Sequence, residues 1–419
     1  MTAAGLSLDT QQPPTYGSYD VKDVYVEALA PILSDLPFVK QLDIEGSYRH
    51  SDYSTVGGQD SYRYGATYAP IEDVRFRAVN SVAIRAPNLT ELYQGSAQSA
   101  NSVTDPCSDV GIAGAPNPAL RRTHCSTFPG VVPGFTENIA NQQSEISYQS
   151  GNTNLNAERA KVLTYGAVIE PRYLPGFNAS IDVYKIEIDH AIQSIDLQTA
   201  ADECADTLAQ EFCQLVRRDT NPGSVTYGLI QGVDSKLVNV GFQNERGIDI
   251  ALNYARRVGD ISKALLGDDW GNGRVTLGWN YEYLQEFKYN VLGSDVDQRG
   301  LFGAPKNRWN LDLGYADETI KFSWRIRYLG TQSYGLSAAD GPVVKPFVYN
   351  DFNIRYNVTD TFAPYIGINN VFNVQPPLVD QLHQQTGAGV AVGVTGTNTV
   401  PNVYDAIGRY FYAGISARF

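Results

Sequence analysis

The last eleven residues, Arg409–Phe419, constrain the fold of this chain more than any other stretch. From Tyr410 onward they alternate strictly. Phe411, Ala413, Ile415, Ala417 and Phe419 fall on one side, Tyr410, Tyr412, Gly414, Ser416 and Arg418 on the other. A period of two sends successive side chains to opposite faces of a strand. One face is therefore apolar along its length and ends in an aromatic at the carboxyl terminus. A soluble strand gains nothing from an unprotected terminal Phe, whereas a closing strand that shows its apolar face to lipid does.

The pattern recurs. Val275, Leu277, Trp279, Tyr281 and Tyr283 alternate with Arg274, Thr276, Gly278, Asn280 and Glu282. Ile320–Tyr328 and Val348–Val358 behave alike, as do shorter runs at Leu42–Tyr48, Tyr62–Tyr68, Val74–Ala78, Leu163–Ile169, Phe177–Val183, Ile248–Tyr254, Leu311–Tyr315 and Phe362–Ile368. With a less regular stretch at Val21–Ala30, the alternation predicts about 13 strands. A soluble β-sandwich or propeller would alternate too, but two features oppose it. The apolar faces are rich in Tyr, Trp and Phe, and connections alternate between short and long. Short ones fall at Ser34–Pro37, Pro70–Asp73, Pro171–Gly176, Ala316–Glu318 and Thr359–Thr361, with a medium one near Arg257–Asn272. Long ones fall near His50–Ser61, 85–156, 189–247, Lys288–Ala304, Leu329–Lys345 and 371–408. Short periplasmic turns and longer extracellular loops are the asymmetry of outer-membrane barrels. The expected fold is all-β, a transmembrane antiparallel β-barrel, with the last strand descending so that Phe419 ends on the periplasmic side.

Charge and cysteine usage narrow the function. A net charge of −13 argues against a nucleic-acid partner. No run reaches the length of a transmembrane helix, and the N-terminus has no signal-peptide pattern. Cys107 and Cys125 share one Pro/Gly/Asn-rich stretch, and Cys204 and Cys213 another. Proximity favours disulfides Cys107–Cys125 and Cys204–Cys213 over the other connectivities, with four unrelated thiols as the alternative. No metal-site spacing occurs. The run Asp202–Arg217 reads as a helix opened by acids and closed by Arg217 and Arg218. Across one straight helix Cys204 and Cys213 could not pair, so a bond between them requires a break. Bacterial barrels have an even number of strands and the first strand here descends, so the chain reads as the C-terminal part of a larger barrel. Residues 1–20 are expected to be disordered or incomplete and 21–419 to form the barrel.

Three patches resemble one family, the TonB-dependent outer-membrane receptors. Ser81-Val-Ala-Ile-Arg85-Ala-Pro87-Asn-Leu-Thr-Glu91-Leu-Tyr93 is similar to its S-F-R-A-P-x-x-x-E-L segment. Gly151-Asn152-Thr-Asn154-Leu155-Asn-Ala-Glu158 is similar to its G-N-P-x-L-x-P-E segment. Asn369-Asn370-Val-Phe372-Asn373, with Gly408-Arg-Tyr-Phe and Phe419, matches its closing pattern. The resemblance implies about 13 of the 22 strands of a plugged barrel, with the plug domain and TonB box absent. It also implies a Gram-negative outer-membrane location, contact with lipid, and import of a scarce nutrient (a siderophore, an oligosaccharide or similar) driven by the TonB complex. The C-terminal strand would be read by the barrel-assembly machinery. A passive porin-type diffusion channel is the alternative.

Loops on a rigid scaffold carry recognition, which makes 85–156 the first place to seek ligand contacts. His124 is the candidate there. Haem receptors of this family resemble the arrangement, but Ile84 replaces their usual Phe and Thr153 their Pro, so an ordinary loop histidine is the stronger reading. Arg75, Arg77, Arg325, Arg327 and Arg355 fall on the polar face, either lining a path for anions or pairing with nearby carboxylates. No cofactor is expected. No enzyme is expected either, since His50, His124, His190 and His383 fall in loops or at strand ends and no phosphate-binding glycine loop or metal motif stands out.

Overall fold

The alternating segments become thirteen strands that pair antiparallel in chain order. The structure, a computed structural model, describes residues 13–101, 103–137, 145–195, 197–291, 294–333, 343–378, 399–400 and 402–417. The wall consists of β1 (Val21–Leu36), β2 (Val39–Tyr53), β3 (Gly57–Ile71), β4 (Val74–Arg85), β5 (Glu158–Ile169), β6 (Phe177–Ser194) and β7 (Ser235–Arg257). It continues through β8 (Arg274–Val291), β9 (Asn307–Ala316), β10 (Ile320–Leu329), β11 (Phe347–Tyr356), β12 (Phe362–Asn369) and β13 (Tyr410–Ala417). Among the described residues β1 and β13 do not pair with each other, so the sheet is open and forms a partial barrel. Arg418 and Phe419 lie outside the described residues, as does His383.

Register keeps the two faces separate across the wall. Leu33, Leu42, Tyr68, Phe76, Ala167, Ile181, Ile250, Tyr281, Trp309, Tyr328 and Val348 are successive cross-strand partners, one unbroken apolar row over β1 to β11. One residue away runs the row Thr67, Arg77, Gly166, Asp182, Asp249, Glu282 and Arg308. A slip of one residue in any strand would exchange these rows locally, placing charge in lipid. The apolar row is the lipid face and the ionic row the lumen face. Stacked rings reinforce the former, with Trp309 and Tyr328 at 5.2 Å and Trp324 and Phe352 at 5.2 Å.

Turns at one end of the wall are short. Pro37 and Phe38 join β1 to β2, and Glu72 and Asp73 join β3 to β4. Lys40 pairs with Asp35 (2.6 Å) and Glu72 (3.0 Å), while Arg172 reaches Glu72 (3.1 Å) and Asp73 (2.6 Å), so charges tie three neighbouring turns together. At the other end the expected long loop His50–Ser61 is a correction. β2 and β3 run on to Tyr53 and from Gly57, leaving a three-residue turn, 54–56. The strands project beyond the apolar band, where Tyr48, His50 and Asp60 are polar neighbours on the outer face (2.7 Å contacts to Asp60 Oδ1). Polarity there marks emergence from lipid and not the end of a strand. β6 and β7 likewise extend past Asp189 and start before Gly247, leaving a loop of 195–234.

Candidate functional site

At the top of β4 the first two motif patches meet. Pro87 is fully buried, and Asn88 caps the helix Leu89–Tyr93 in a reciprocal box: Asn88 Oδ1 accepts the Glu91 N–H (2.9 Å) and Glu91 Oε2 accepts the Asn88 N–H (2.7 Å). The Arg85 guanidinium donates to both Glu91 oxygens (3.0 Å each) and, through Nε, to Glu158. Glu158 Oε1 accepts the Ile192 N–H (2.6 Å), which ties β5 to β6. Asn152 completes the junction, donating its N–H to the Glu91 carbonyl (2.8 Å) and its Nδ2 to the Leu237 carbonyl (2.8 Å). Its Oδ1 accepts the Asn154 N–H (3.0 Å), and Leu155 packs with Leu92 and Ile192. A Cβ on Gly151 would lie 2.7 Å from the Gln94 nitrogen, so only glycine fits that crossing. These residues fasten the two ends of a long loop to the wall.

The closing patch fastens a second loop. Asn370, fully buried with φ 49°, donates its N–H to Asp351 Oδ1 (2.8 Å) and brackets Val374 with its side chain. Asn373 Oδ1 accepts the Arg409 N–H (3.0 Å), while Phe372 is exposed. Nearby, Val344, Val400 and Tyr404 form a small buried cluster. In it the Tyr404 phenol accepts from Gln332 Nε2 (2.8 Å), and burial raises its pKa.

Between the fastened ends, the described parts of loops 86–157 and 195–234 pack together into a platform. Its core is Val103, Ile195, Ala200, Ala201, Cys204, Phe212, Leu215, Ile230 and Val233, drawn from both loops. A second cluster sets Cys107 and Cys125 against Ala205. Disulfides join Cys107 to Cys125 (Cα–Cα 5.6 Å) and Cys204 to Cys213 (Cα–Cα 4.7 Å). The helix expected over Asp202–Arg217 needs correction: it spans Leu197–Thr207, breaks at Leu208 (φ 54°), and resumes for one turn at Gln210–Cys213. That break brings the two sulfurs together. Arg217 and Arg218 belong to a short strand, Val216–Arg218, and do not close the helix.

Buried ion pairs lock the loops to each other. Arg121, at the middle of helix Pro118–Cys125 and 4% exposed, donates to Asp206 through Nε (2.5 Å), to Asp202 (2.8 Å) and to the Gly111 carbonyl (2.9 Å). Arg218 grips both oxygens of Asp105 (2.6 and 2.8 Å), which is 1% exposed. Burial raises the Asp202 and Glu203 pKa values, with Asp206 adding to the effect and Arg121 opposing it. Asp202 and Asp206 are four apart on one helical face, a spacing visible in the sequence; Asp105 and Arg218 carry no such local signal. His124 Nδ1 pairs with the Ala205 carbonyl (2.9 Å), so one ring nitrogen serves the loop–loop contact.

On the lumen face of the wall the arginines meet neighbouring carboxylates. Arg77 reaches across β5 to Asp182 with two hydrogen bonds (2.9 and 2.6 Å), over Gly166, where a Cβ would collide with Asp182. Arg325 pairs with Asp312 (2.6 Å), Arg327 with Asp351 (3.1 Å) and Arg308 with Glu282 (Nε, 2.7 Å). Arg355 reaches Asn357 (3.3 Å), and Arg75 stands in register with Val168. Ion pairing, not a free basic track, is what Arg77, Arg325 and Arg327 provide.

The wall and its loops are similar to solved receptors. The ferric enterobactin receptor PfeA of Pseudomonas aeruginosa, in complex with enterobactin, aligns at TM-score 0.57 and 16% identity over 96% of this chain and 46% of its own. The siderophore receptor PirA of Acinetobacter baumannii aligns at TM-score 0.54 and 15% identity over 96% and 46%, and the FrpB iron transporter of Neisseria meningitidis at 0.50 and 15% over 96% and 44%. The chain thus spans less than half the length of each. No curated protein sequence matches it. The family model described as TonB dependent receptor-like, beta-barrel, matches residues 3–371. The chain therefore belongs to the TonB-dependent receptor family and forms part of its β-barrel.

Proposed function

We propose that this chain is the wall and extracellular platform of an outer-membrane receptor that captures a scarce nutrient and imports it into the periplasm. The observation that carries this reading is the platform: two loops folded on a shared core and locked together by ion pairs, on a wall with an ionic inner face. A passive pore has no use for so costly an ordered lid, whereas a receptor needs a rigid surface on which to hold a ligand. Plug and TonB box would come from the remainder of the receptor, and TonB would act through them. The apolar face of β13 would serve the barrel-assembly machinery.

An iron–siderophore complex is the ligand class supported by the similar structures, a ferric enterobactin receptor, a siderophore receptor and an iron transporter. The test places the full receptor in a Gram-negative host stripped of its own siderophore receptors and follows radioactive ferric enterobactin. TonB-dependent accumulation is the expected result. A large, steady ionic conductance in planar bilayers without accumulation would select the diffusion channel instead.

A further inference from the structure

The connection between β7 and β8, residues 258–273, differs from the other turns at its end of the wall. It holds a nine-residue helix, Val258–Leu266, closed by Gly267 in the left-handed conformation (φ 86°). A helix beside a protein core normally turns its apolar stripe inward. Here the C-terminal end of the apolar stripe is left uncovered. Ser262 is 4% exposed; its hydroxyl donates to the Gly259 carbonyl (3.2 Å) and accepts the Trp270 N–H (3.0 Å). Asp260 and Asp269 pair with Arg257 (2.8 and 3.3 Å). Leu265, Leu266 and Trp270 are left 77%, 60% and 65% exposed. The apolar end of the helix and Trp270 thus face away from the molecule, while Ser262 is turned into it.

The position identifies the occupant. Arg257 and Arg274 form the last rung of the β7–β8 ladder, and the Val258 N–H already bonds the Gly273 carbonyl (2.6 Å). The helix thus starts where the lipid-facing row, with Tyr254 opposite Leu277, comes to its periplasmic end. The same rim exposes Phe38 (81%) and Tyr173 (87%) in two other turns. Aromatic rings gather at the level of lipid headgroups. A short amphipathic helix with Trp and Leu outward suits that boundary.

We propose that helix Val258–Leu266, with Trp270, is an interfacial anchor that lies in the periplasmic headgroup region of the outer membrane, Leu265, Leu266 and Trp270 entering the acyl boundary. The inference rests on the outer-membrane placement of the wall. The test uses two single-tryptophan forms of the full chain in vesicles of phosphatidylethanolamine and phosphatidylglycerol. One keeps Trp270 and the other Trp279, the remaining tryptophans being replaced by Phe. Lipids brominated near the carbonyl end of the acyl chain should quench Trp270, and L265D/L266D should abolish that loss while Trp279 quenching persists. Quenching of Trp279 alone, with Trp270 open to acrylamide, would overturn the anchor, leave the wall intact and point to a protein at this face. Quenching of neither would overturn the membrane placement itself.

Discussion

In the wall, each strand's partner is the next strand in the chain, and the hydrogen-bonded ladder does most of the specifying. In the platform, Arg121 meets Asp206 across 85 residues and Asp105 meets Arg218 across 113. The wall has its apolar side turned outward and its charges on the lumen face; the platform has an apolar core and buries two arginines at 4% and 10% side-chain exposure. The difference teaches where damage should travel. A wall residue answers to the membrane and to register, so an error there should disturb insertion. A platform residue answers to the opposite loop, so an error there should loosen the mouth and leave the wall in place.

Four substitutions or conditions separate the two regions. The largest effect is expected from R218A, which strands the buried Asp105 carboxylate and should cost the platform about 3–5 kcal/mol. Protease cleavage within 103–137 should rise sharply while hydrogen exchange in β2–β12 is unchanged; loss of wall protection would break the distinction. I250R is the converse case. Charge placed in the apolar row should cost about 2–4 kcal/mol of barrel stability, read by urea unfolding in vesicles, with the platform folded once inserted. N88A removes one helix cap at the junction and should cost about 1 kcal/mol, seen as a modest gain in exchange of the Glu91 amide.

The smallest effect concerns pH. Asp202 and Glu203 have raised pKa values in the folded platform, so the folded state holds their protons more tightly than the unfolded one. Their contribution therefore favours folding below the ordinary carboxylate range and is lost as pH rises through the raised values. Platform resistance to proteolysis should decline slightly over that interval, and D202N should flatten the decline. An increase instead would reverse the assignment.

How much was legible follows from the same contrast. Twelve of the thirteen wall strands can be located from clear alternation and β1 only from a less regular stretch, because in lipid the period-two signal is enforced along most of the wall. The exceptions lie where enforcement stops. His50–Ser61 read as a long loop because its outer-face residues are polar above the apolar band. The junction was visible only as short motifs; that Arg85, Glu91 and Glu158 form one hub requires two distant segments to meet. The helix near Asp202 ends earlier than the sequence suggests because Arg217 and Arg218, which resemble a C-terminal cap, serve Asp234 and Asp105 instead. Ion pairs between loops leave almost no local trace.

The most direct test of the account is a spin-label scan of β7, one cysteine at a time from Arg246 to Tyr254, in the full receptor in outer membranes. Labels at 248, 250, 252 and 254 should collide with oxygen, which is soluble in lipid. Those at 247, 249, 251 and 253 should respond instead to a water-soluble nickel chelate. A strict alternation in that phase is the predicted result. A flat profile, or alternation in the opposite phase, would contradict the assignment of lipid and lumen faces on which everything else depends.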